Sequence, residues 1–65
     1  MKMMQISKGA SAVRFYHDES IDMFVVSVGR FENEVFTPIM SHAWLNMDEA
    51  KTAFSDCMKS MLERG

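Results

Sequence analysis

Cysteine is nearly absent. Cys57 is the only one in 65 residues, so no disulfide can form within the chain. Glycine is sparse too: Gly9, Gly29 and Gly65 stand isolated, which excludes the glycine-rich loops that cradle phosphates. No apolar run approaches the roughly 20 residues that a membrane-spanning helix needs. The opening Met1-Lys2-Met3-Met4-Gln5 lacks the apolar core and cleavage site of a secretory signal. These absences set the expectation of a cytoplasmic protein with no membrane partner. Neither His17, Asp18, Glu19 and Asp22 nor His42 with a helix carboxylate follows zinc or calcium spacing, so no metal or other cofactor is expected.

A chain this short makes one small domain, residues 1–65. Its core contributes only about 3–5 kcal/mol of stability. With disulfides and metals excluded, the remaining reinforcement is a second copy or a larger partner. The net charge of −2 is mild but unevenly spread. Lys2, Lys8 and Arg14 lie in an acid-free start, and Asp18, Glu19, Asp22, Glu32 and Glu34 outnumber Arg30 in the middle. Such a middle argues against a broad phosphate-binding face.

What the chain does have is a clear division into halves. Residues 46–64 read as one amphipathic helix, with Met47, Ala50, Ala53, Phe54, Cys57, Met58, Met61 and Leu62 on one side at helical spacing. Asn46 caps its start, with Glu49 reaching back in a capping box and Leu45 packing as a hydrophobic staple. Residues 10–40 read as β-hairpins, and 1–9 as either a first strand or an arm. Val13 and Phe15 share one face of a strand, with Ala12, Arg14 and Tyr16 on the other. Ile21 to Val28 is apolar on both sides, as a central strand is: Phe24, Val26 and Val28 face one way, Met23 and Val25 the other. Gly29 marks a bulge or a turn, and Glu32-Asn33 is the expected hairpin tip. Val35 to Thr37 should return as a strand that is an edge or ends at Pro38, with Ile39 to Leu45 leading into the helix, at most as a short fourth strand. The fold class is therefore α+β, an antiparallel three- to four-stranded sheet against one C-terminal helix (βββα).

Chemistry is hard to place on this frame. Cys57 lies on the apolar arc, where a thiol is an inert small hydrophobe. His17, Asp18 and Ser20 are neighbours in one loop, which does not make a triad. The expectation is a non-enzymatic protein-binding module, acting as a homodimer or on a larger intracellular assembly. Met23, Val25, Phe31 and Trp44 would make its apolar contact, with Asp18, Glu19, Glu32 and Glu34 as an acidic rim.

The stretch Asp48-Glu49-Ala50-Lys51-Thr52-Ala53-Phe54 resembles the helix start in the DNA-binding arms of recombinases and in HicB-like antitoxin domains. That resemblance implies a sheet on one C-terminal helix. It also implies a competing function as a small nucleic-acid-binding regulator using Lys2, Lys8, Arg14 and Arg30. The basic sheet such regulators present is missing, which ranks nucleic acid below protein as partner. At the level of class, the small acidic chain is similar to phage and mobile-element inhibitors of host machinery, anti-CRISPR proteins among them. By that likeness it would occlude a partner's surface with carboxylates.

Overall fold

The computed structural model describes residues 3–64, with Arg64 described by its backbone alone. Four strands are followed by a helix: β1 (Met3–Lys8), β2 (Ser11–Asp18), β3 (Met23–Glu32), β4 (Val35–Trp44) and α1 (Met47–Arg64). The strands form one antiparallel meander in the order β1-β2-β3-β4, which makes β1 and β4 the edges. The α+β class stands, with the full four strands. Residues 3–8 form a strand, and the chain continues through Pro38 as one strand of ten residues. The register accommodates this by slipping between Val28 and Gly29. Val28 pairs Met40 and Gly29 pairs Pro38, so Ile39 is the extra residue of a bulge.

Alternation places the apolar side chains where the helix can cover them. Val13 and Phe15 of β2 pair with Val28 and Val26 of β3, and Ile6 of β1 pairs with Val13. Against them α1 buries Ala50 and Phe54, with Ala53, Cys57 and Met61 partly covered. The Phe15 and Phe54 rings meet edge to face, centroids 5.7 Å apart. Trp44 packs on the margin of this core as a lid.

The helix starts as its sequence requires. Asn46 Oδ1 accepts from the backbone amides of Asp48 (2.8 Å) and Glu49 (3.2 Å), satisfying two otherwise orphaned donors. Asp48 and Glu49 place negative charge at the positive end of the helix dipole. The return half of the capping box does not form, and Leu45 is 78% exposed, so it staples nothing. At the far end, Lys8 Nζ donates to the Leu62 carbonyl at 2.7 Å, a cation where the dipole favours one.

Two turns join β2, β3 and β4, and the second corrects the expected tip. The β2–β3 loop runs Glu19–Asp22, with Asp18 pairing Met23 across it. The β3–β4 turn is Asn33-Glu34, one residue later than Glu32-Asn33, because Glu32 still pairs Val35. Asn33 (φ 52°) and Glu34 (φ 64°) are both left-handed, the geometry of a two-residue type I′ turn. Asn accepts this conformation but glutamate does so at a cost. Glu34→Gly should therefore raise stability by about 1 kcal/mol, measured as an upward shift of the urea midpoint with an unchanged slope.

Candidate functional site

The face of the sheet that α1 leaves open is not bare. Ala12 is fully buried, Val25 is 6% exposed and Ser27 4%, although all three point away from the helix. The bulge explains this. Thr37 O and Pro38 Cα lie so close to Gly29 that a Cβ there would meet them at 2.1 and 2.8 Å. The backbone of β4 thus crosses tightly over β3, and the β3–β4 hairpin curls back over the open face. Phe36, which pairs Phe31 far along the ladder, consequently reaches β2, with the Arg14 guanidinium carbon 4.2 Å from its ring centroid.

Below Phe36 a single polar row crosses all four strands: Gln5 pairs Arg14, Arg14 pairs Ser27, and Ser27 pairs Ser41. Arg14 Nε donates to Gln5 Oε1 at 2.6 Å, and the Ser27 and Ser41 hydroxyls share a 2.7 Å hydrogen bond. Met3, Tyr16, Phe36 and Pro38 wall an open depression of about 360 Å³ around Arg14, Ser27 and Ser41. The ion pairs among the described residues are His17–Asp22 and Arg30–Glu32, so half-buried Arg14 has no carboxylate partner there.

The second feature is β4 itself. Val35 is 61% exposed, Ile39 73% and Met40 54%. From Val35 to Trp44 the strand contains no Asp, Glu, Lys or Arg. On its helix side, Ile39 and Met40 join Val28, Cys57 and Met61 around an apolar groove of about 320 Å³.

The residues singled out from sequence are dispersed. Val25 is buried within its own chain and has no side chain to offer a partner; Met23 and Phe31 are half-buried. The acids do not make one rim. Asp18 and Glu19 lie at the β2–β3 loop and Glu32 and Glu34 at the β3–β4 turn, at opposite ends of β3. Lys8 is held on the helix side and Arg14 on the open face, while Arg30 Nη2 is bound to Glu32 Oε1 at 2.7 Å. Lys2 lies outside the described residues.

His17, Asp18 and Ser20 are occupied by turn chemistry. The backbone amide and hydroxyl of Ser20 both donate to Asp18 Oδ1, at 3.0 and 2.6 Å, while His17 Nε2 faces Asp22 Oδ1 at 2.9 Å. The Ser20 hydroxyl and then its amide hold the Asp18 carboxyl below its ordinary value. A carboxylate lowered in the fold adds stability above its unfolded pKa, and that contribution is lost as pH falls through the folded value. No group of three His, Cys, Asp or Glu side chains able to hold a metal occurs among the described residues. Nor is any described helix long and apolar enough to cross a membrane.

Sequence reasoning did not find Gln5, Ser27, Ser41 and Phe36. Alternation puts Arg14 and Ser27 on one face, but only the strand register aligns the row, and only the bulge delivers Phe36. Compared with protein-family models, curated proteins and solved structures, the chain finds a match in none of the three.

Proposed function

We propose that this chain is a non-enzymatic protein-binding module that pairs with a second copy of itself, edge to edge, through β4. The observation that supports the reading is an exposed ten-residue edge strand with no charged side chain and with large apolar ones turned to solvent. Edge strands carry unpaired amides and carbonyls and are ordinarily blunted by lysine, by short length or by a covering element. The other edge, β1, is short and ends in Lys8; β4 has only Pro38. Proline removes one donor, which leaves Ile39 to Trp44 as the stretch fit to pair. Antiparallel pairing of that stretch about a two-fold axis would give a continuous eight-stranded sheet, a closed and self-complementary arrangement.

Size supports association as well. Among the described residues, Val13 is the only large side chain that is fully buried, so the single chain has little core. Pairing through β4 would cover Ile39 and Met40 and extend the core at that edge.

Sedimentation velocity over a wide concentration range tests the reading. The wild-type chain should be a dimer, and Ile39→Lys should weaken dimerisation by about 3 kcal/mol, roughly a hundredfold, because each dimer loses two buried isoleucines. Its circular dichroism should remain that of the wild type. A wild-type chain that stays monomeric throughout, or an Ile39→Lys chain that dimerises equally well, overturns the proposal.

A further inference from the structure

We propose that the curled face holds a binding site for a small organic monocarboxylate, with Arg14 receiving the carboxylate and the aromatic wall receiving its apolar body. The guanidinium is presented in one orientation. Phe36 covers one of its faces at 4.2 Å and Gln5 holds Nε at 2.6 Å, which fixes the plane of the group. The two terminal nitrogens have no hydrogen-bond partner among the described residues. That remaining edge is a planar fork, the arrangement that takes a carboxylate through two parallel hydrogen bonds.

The neighbouring hydroxyls add a donor. A Ser27–Ser41 pair uses one hydroxyl proton for its mutual bond and leaves the other to donate elsewhere. Ser27 is almost wholly buried, so this pair is a positioned part of the face and not a solvent-averaged one. Around these donors, Met3, Tyr16, Phe36 and Pro38 provide apolar and aromatic surface. A depression of about 360 Å³ with few polar groups on a mostly apolar wall has the dimensions and composition of a small-ligand pocket.

The charge count selects a monocarboxylate over phosphate. Among the described residues, one unpaired cation faces the depression, and neither a lysine nor a second arginine lines it. A phosphate dianion would bring a second negative charge with no cation to meet it. This site stands on the open face and does not depend on whether β4 pairs with another copy.

The test is a titration of the full chain followed by ¹H–¹⁵N correlation spectra, with sodium phenylacetate as probe. Phenylacetate should produce saturable shifts at the Arg14 side-chain Nε–H and at the Ser27 and Ser41 amides. Phenylacetamide, which keeps the body and lacks the charge, should bind about tenfold or more weaker, as should sodium acetate, which lacks the body. Arg14→Met should abolish the shifts. If that variant does not fold, Ser41→Val, on the exposed edge, should weaken binding several-fold with the spectrum otherwise conserved. Non-saturating shifts, phenylacetamide or inorganic phosphate binding as tightly as phenylacetate, or unchanged binding in a folded variant would overturn the assignment.

Discussion

Gly29→Ala is expected to remove most of the chain's stability at room temperature. The added Cβ would sit 2.1 Å from Thr37 O, 2.8 Å from Pro38 Cα and 2.9 Å from the Thr37 carbonyl carbon, all of them backbone atoms. A side chain in the way can rotate; a backbone carbonyl held by the neighbouring ladder cannot. Relief requires β4 to move off β3 at the bulge, which opens the pairs on either side and lifts Phe36 from Arg14. Overpacking of this kind costs about 3 kcal/mol, close to the whole of the roughly 3–5 kcal/mol available to a core of this size. Urea denaturation followed by circular dichroism reads the effect directly. Native-like stability in Gly29→Ala would mean that β4 does not cross β3 as closely as described.

Phe54→Ala should have a comparable cost on the other face of the sheet, about 3–4 kcal/mol. Phe54 is buried between the helix and the β2–β3 pair, edge-on to Phe15 and beside Val13, Val26 and Ala50. Its loss removes the largest side chain by which α1 adheres, and the few residues left around it cannot close the cavity. Phe54→Leu keeps most of the volume and should cost only about 1 kcal/mol. Because association would add to stability by mass action, both variants and the wild type must be compared at one protein concentration. Equal midpoints for Phe54→Ala and Phe54→Leu would show that the helix is held by other contacts.

The elements with strong periodicity were legible in the sequence. The helix from Met47, its Asn46 cap, the shared face of Val13 and Phe15 and the two-sided β3 all follow from local pattern. The β4 strand was not, because Pro38 interrupts its pattern and the strand passes through it by means of a bulge. A bulge depends on how two strands meet, and no window within either strand contains that information. The same gap hid the candidate sites. Gln5, Arg14, Ser27 and Ser41 are far apart in the chain and become a row only in register. Val25 reads as an exposed apolar residue in a strand with one uncovered face, yet the curl of the hairpin buries it. The acids read as one rim because both hairpin tips carry them, but a meander sends successive turns to opposite ends.

The claim that β4 is a pairing edge is tested most directly by isotope-filtered NOE spectroscopy on a mixture of ¹³C-labelled and unlabelled chains. Only contacts between different copies survive the filter. Intermolecular contacts should be confined to Ile39–Trp44, made with the same segment of the partner in antiparallel order. Intermolecular contacts arising instead from Met3, Tyr16 and Phe36 on the curled face, or none at concentrations where other signals are strong, would contradict it.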